Sequence, residues 1–230
     1  MRSRVELIAA LLLGCVAAAA LWWLRRRLRE VRIPTLEIWD VRDDPIDVCV
    51  GVDHQAAGMR LGTHLVAAGY RAPAFVGVPE GRDPRADKRL AGLCAVFRVA
   101  GAADMVVERV DRRAAFEAGW TGTQRLLDRT GARPDVICYL NDHLAFGGFS
   151  ACTQRGLAVP DEIGIAGFNG LEINGVLGRP ITTIITPRKK MGADGARALV
   201  ARIKGARVEP CMALPTELLA GGTTRPPAPV

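Results

Sequence analysis

Short β-rich apolar runs alternate with helical stretches from Ile33 to Leu218, and this rhythm limits the possible folds more than any other feature of the chain. Its clearest unit is residues 134–156. Val136, Ile137, Cys138, Tyr139 and Leu140 form a charge-free run bounded by Pro134 and Asp135. Such a run reads as a buried strand of a parallel sheet. Asn141 and Asp142 follow at once, and either can cap a helix by accepting from a backbone N–H of its first turn. The helix runs to about Gln154 and stops at Gly156. Two polar side chains thus stand at the C-terminal end of a buried strand, where open α/β sheets bind ligands. The plainer alternative is that both only serve the helix.

The rhythm extends on both sides. Residues 35–39 and 48–52 read as strands separated by a turn at Asp43-Asp44-Pro45. Asp53 caps a helix to Ala68, with Leu61 and Leu65 on its apolar stripe. Residues 74–78 form a strand. A helix over 83–100 follows, with Leu90, Cys94 and Phe97 on one face. Next come a strand over 105–110 and a helix over 112–129. Beyond the central unit, a strand over 163–166 leads into a turn at Gly167-Phe168-Asn169-Gly170. Residues 181–185 are a β-branched run after Pro180. Thr186 and Pro187 open a helix whose face carries Met191, Gly195, Leu199 and Ile203. Residues 212–218 make a last strand, and 221–230 form a Gly/Pro-rich tail. Regular alternation of this kind specifies a doubly wound α/β fold with parallel sheets flanked by helices.

Charge excludes one class of partner. The net +7 is unevenly spread, because residues 1–30 hold six Arg and two Glu and so account for +4. The other 200 residues carry only +3, without a basic, aromatic-laced surface for nucleic acid. Specific DNA binding by this chain is not expected, and a gel shift at physiological salt tests that. Residues 7–24 are continuously apolar and precede Arg25, Arg26 and Arg27. This segment is long enough for a minimal membrane span or a leader core. Leu21 to Val31 reads equally as an amphipathic helix. Six scattered cysteines and three isolated histidines predict reduced thiols, no metal site and no disulfide framework. No nucleophile elbow, Walker loop or dinucleotide fingerprint occurs, so no cofactor is expected. Polar residues recur instead at strand ends, which favours binding over catalysis.

Several motifs, in order, carry a family likeness. They are Ala57-Gly58 with His64-Leu65 and Gly69-Tyr70-Arg71, then Arg89-Leu90-Ala91-Gly92, Pro134-Asp135 and Asn141 through Gly147. Gly156 through Ile163, Gly167-Phe168, Pro180 through Ile184, and Pro187 with Met191-Gly192 complete the set. Over about residues 33–224 the chain resembles the effector-binding core of the lactose/galactose-repressor family of transcription regulators. Glu37 to Asp40, Gly170 to Ile173 and Gly221-Gly222 resemble its gluconate-repressor branch. The resemblance implies a periplasmic-binding-protein-like fold of two α/β lobes with a sugar or sugar-acid effector between them. It implies a homodimer in the cytoplasm, without a cofactor. It also implies that the helix-turn-helix and most of the first lobe lie outside the match, as in a truncated or misread repressor.

The domain pattern expected from the likeness is an atypical segment over 1–32 and a partial first lobe over 33–52. A complete second lobe follows over 53–179, then a return to the first lobe over 180–205 and a closing strand and tail over 206–230. Carried over by position, Arg89 matches the effector-contacting arginine, and its planar fork suits vicinal hydroxyls or a carboxylate. Asn141 matches the strand-end asparagine that meets the sugar, with Asp142 beside it as the helix cap. Asn169 stands where many members carry an aspartate; the amide removes a negative charge, which suits an anionic sugar acid. Trp39 and Asp40 fall where the first lobe's strand meets the ligand, although Trp39 suits a core as well. A sugar-binding protein of a transport system, tethered or secreted through residues 7–24, is the alternative the fold leaves open.

Overall fold

The computed structural model describes residues 19–111, 116–129, 131, 133–176 and 178–227. Two compact units result. Among the described residues, one comprises 19–51 with Arg188–Leu214, and the other Val52–Pro187 with 215–227. The return to the first unit thus comes at Arg188, not at 180. Residues 215–227 belong with the larger unit.

The larger unit is built on a six-stranded sheet. Its strands are β3 (Pro73–Gly77), β4 (Val106–Arg109), β5 (Val136–Tyr139), β6 (Gly164–Asn169), β7 (Thr182–Ile185) and β9 (Glu217–Leu219). The order is β4-β3-β5-β6-β7-β9, and every pairing is parallel except the antiparallel β7–β9 edge. Helix α2 (His54–Ala67) leads into β3, and α3 (Pro84–Val99), α4 (Phe116–Asp128) and α5 (Asp142–Gln154) connect β3 to β4, β4 to β5 and β5 to β6. α2 packs on α3, and α4 on α5. Every residue of β3 and β5 is buried, as a sheet covered on both faces requires. The helix starts follow from local chemistry. Asp53 accepts from the Ala56 N–H at 2.9 Å, and Asp83 accepts from the Arg85 N–H at 3.2 Å. The α4–α5 crossing is very close: a Cβ on Gly147 would collide with the Phe116 carbonyl, and one on Gly119 with the Leu144 carbonyl.

The smaller unit has a three-stranded sheet, ordered β1-β2-β8, formed by β1 (Leu36–Asp40), β2 (Val48–Val52) and β8 (Cys211–Ala213). Helix α6 (Arg188–Ile203) packs on β1. Residues 19–30 are helical and form α1. This helix does not bury an apolar face: Leu21, Trp22, Trp23 and Leu24 are all exposed. It is fixed by charge, with Arg25 on Glu37 and Arg29 on Asp44. No helix among the described residues is long and apolar enough to cross a membrane. Most of the apolar segment 7–24 lies outside the described residues.

Several sequence expectations are corrected. The single strand over 212–218 is two short strands in different sheets, because Pro215 cannot donate to a ladder and ends β8. β6 runs on through Asn169, so the turn expected at Gly167 begins only at Gly170. On α3 the buried line is Ala86, Arg89, Leu93 and Phe97, whereas Leu90 and Cys94 are half-buried. On α6 the buried residues are Met191, Gly195 and Ala198, while Ile203 is exposed. Steps of four residues overshoot a helical turn by about 40° each, so a 191-195-199-203 line drifts off the buried face.

Candidate functional site

The C-terminal edge of the six-stranded sheet gathers three of the residues singled out in the sequence. β5 delivers Asn141, whose side-chain oxygen accepts from the Leu144 N–H at 3.1 Å and caps α5. The next strand delivers Asn169. Cys138 pairs with Ala166 across β5 and β6, so Asn141 and Asn169, each three residues further on, stand level at the strand ends. Neighbouring strands are about 4.8 Å apart. α3 contributes Arg89, which is only 7% exposed. Its guanidinium carbon lies 4.2 Å from the centre of the Phe168 ring, in cation–π geometry. Arg89 therefore faces inward over the end of β6, not out from its helix.

Asn169 adopts φ 111°, a region that side chains rarely enter and that asparagine tolerates better than most. The neighbouring Thr186 pins it: both the Thr186 N–H and its hydroxyl donate to the Asn169 carbonyl at 3.3 Å. Strained backbone held by its surroundings clusters at ligand sites.

Asp142 differs from its expected role. The cap is Asn141, and Asp142 is fully buried, accepting from the Leu171 N–H at 2.7 Å and from the Thr183 hydroxyl at 2.6 Å. Burial pushes its carboxyl up, opposed by the Thr183 hydrogen bond. It ties the start of α5 to the segment after β6 and to β7, beneath the site rather than in it. Asp142→Ala leaves the half-buried Leu171 N–H and the buried Thr183 hydroxyl without their acceptor. The expected loss is about 2–4 kcal/mol of unfolding free energy, measured in urea. An unchanged midpoint refutes the structural role.

Two residues at this edge were not read from the sequence. Phe168 carries the Arg89 guanidinium on its ring, and His54, at the start of α2, sets its ring 5.8 Å from the same Phe168 ring. The Gly167-Phe168 motif was the available signal for the first. For His54 only its place directly after the Asp53 cap pointed there. Trp39 and Asp40 belong to the smaller unit, where they end β1; both are half-buried, and Trp39 has φ 86°. Among the described residues no three His, Cys, Asp or Glu side chains converge as a metal site requires.

A parallel sheet thus presents at its C-terminal edge a cationic fork on an aromatic ring and two level strand-end amides. A family profile for periplasmic binding protein-like domains matches residues 63–224, and the chain belongs to that family. Its relatives are regulators of the lactose/galactose-repressor type. The chain is 33% identical over 180 residues to the HTH-type transcriptional regulator GntR of Escherichia coli K12, covering 78% of this chain and 53% of that protein. It spans about half the length of the curated relatives it matches. Among solved structures, the transcription regulator GntR of Chromobacterium violaceum superposes with a TM-score of 0.78 at 29% identity, over 87% of this chain and 73% of that one. A LacI-family regulator from Silicibacter pomeroyi gives 0.76 at 31% identity, over 83% and 58%.

Proposed function

We propose that the chain is the effector-sensing core of a LacI-type transcription repressor, and that its effector is a sugar acid such as gluconate. The observation that carries this reading is the inward-facing Arg89 on Phe168, at the sheet edge where Asn141 and Asn169 stand level. A guanidinium fork pairs with a carboxylate through two parallel hydrogen bonds, and amides serve hydroxyls. Operator contact in this reading falls to a helix-turn-helix of the kind that the relatives are named for, HTH-type transcriptional regulators. Calorimetric titration of the chain with gluconate and with glucose tests the effector. Saturable binding of gluconate with at least tenfold preference over glucose is expected. Equal affinity for both, or no heat with either, overturns the sugar-acid assignment.

The same reading includes a homodimer. α4 and α5 carry an aromatic cluster on their outer side: Phe116 lies 5.5 Å from the His143 ring and 5.9 Å from the Phe146 ring. Phe116 and Trp120 remain 47% and 37% exposed. Exposed aromatics gathered in one place mark contact surfaces. Sedimentation velocity at micromolar concentration is expected to show a dimer, and Phe116→Glu to shift it to monomer. A monomeric wild type refutes the dimer.

A further inference from the structure

We infer that Cys49 and Cys211 form a reversible disulfide that staples β2 to β8 in the smaller unit when the surroundings turn oxidising. The two residues are direct partners in the parallel β2–β8 pairing, although they lie 162 positions apart in the sequence. Neighbouring strands hold their Cα atoms about 4.8 Å apart. That separation falls inside the span of about 4.4–6.8 Å that a disulfide bridges. Both side chains also point the same way, with the two sulfurs 2.8 Å apart. This is roughly 0.8 Å longer than a covalent S–S bond. The remaining described cysteines, Cys94, Cys138 and Cys152, are free thiols inside the other unit.

Access decides the order of events. Cys49 is fully buried and its thiol is pushed up to about 11, first by burial and then by its hydrogen bond with Cys211. Cys211 is half-buried and is the sulfur an oxidant meets first. With oxidised glutathione as the oxidant, the Cys211 thiolate attacks one glutathione sulfur. A mixed disulfide forms, and one glutathione thiolate leaves. The Cys49 thiol gives up its proton and attacks the Cys211 sulfur, releasing the second glutathione thiolate. Both glutathione thiolates take up the two protein protons. The protein thus loses two electrons and two protons, and glutathione disulfide becomes two thiols. Excess reduced glutathione runs the exchange backwards.

The test uses the full chain, equilibrated with oxidised and reduced glutathione at several ratios, acid-quenched, alkylated and digested with trypsin. Mass spectrometry is expected to find the peptide that contains Cys49 joined to the one that contains Cys211, and dithiothreitol to separate them. Closing so long a loop should raise the thermal midpoint of the oxidised protein by roughly 5–10 °C. Cys211→Ser should abolish both the linked peptide and the rise. If Cys49 and Cys211 are alkylated separately at every ratio while the protein stays folded, the inference is wrong. It is equally wrong if the linked partner is Cys15, Cys94, Cys138, Cys152 or a cysteine of another molecule. The peptide map of the wild type decides this even if the variant does not fold.

Discussion

Arg89→Ala is expected to weaken gluconate binding by roughly ten- to a hundredfold. A hydrogen bond to a charged group is worth about 1.5–3 kcal/mol, and each 1.4 kcal/mol is about a factor of ten in affinity. Placement supports the same reading, because Arg89 is 7% exposed with its guanidinium over the Phe168 ring at the strand ends. Arg89→Lys should recover only part of the loss, since an ammonium can sit over Phe168 but cannot present two parallel donors to a carboxylate. Calorimetry on wild type and both variants measures the effect, with circular dichroism confirming that each is folded. Equal affinity of wild type and Arg89→Ala for every sugar acid tried removes Arg89 as the anchor, and the proposed site with it.

Gly147→Ala should cost about 2–3 kcal/mol of stability, although alanine is the better helix former by about 1 kcal/mol. The new Cβ would collide with the Phe116 carbonyl and come within 2.8 Å of the Trp120 backbone nitrogen. Neither is the tip of a flexible side chain, so α4 and α5 must move apart and open the packing beneath them. Gly192→Ala in α6 is the matched control. Nothing lies within 4 Å of its Cβ, so the helix-propensity gain stands alone and stability should rise by up to about 1 kcal/mol. Urea denaturation of both variants checks the pair of signs. A neutral Gly147→Ala means that the helices cross more loosely than described. Because α4 and α5 also carry the proposed dimer face, Gly147→Ala should weaken self-association as well.

Much of the architecture was legible because local chemistry writes it into the chain. Val136 to Tyr139 could only be a covered strand, Asp53 and Asp83 could only begin helices, and the left-handed Gly156 ends α5 where expected. Position at the sheet edge followed from parallel topology, and Arg89, Asn141 and Asn169 did arrive at one edge. What stayed hidden depends on partners distant in sequence. The fate of Asp142 is set by Leu171 and Thr183, 29 and 41 residues away. The cap therefore went to the wrong neighbour, since Asn and Asp are equally good caps. Phe168 looked like part of a turn, because Gly167 before it and Asn169-Gly170 after it conceal how far β6 runs. The close α4–α5 crossing could not be seen in Gly119 and Gly147 separately. Each glycine shows its reason only against the other helix's backbone. Cys49 and Cys211 looked unrelated for the same cause, a parallel pairing that no local pattern announces.

The chain leaves the smaller unit after Gly51, re-enters at Arg188 and leaves again after Leu214. During synthesis this has a direct cost in time. β8 must join β2 although their paired residues Cys49 and Cys211 lie 162 positions apart, and β9 must join β7 across the whole of α6. On the ribosome, therefore, both sheets wait with an edge open until these late strands have been made. Each exposes an unpaired strand to neighbouring nascent chains. Holdase chaperones that shield strand edges should therefore raise the yield of folded protein more than slower translation does.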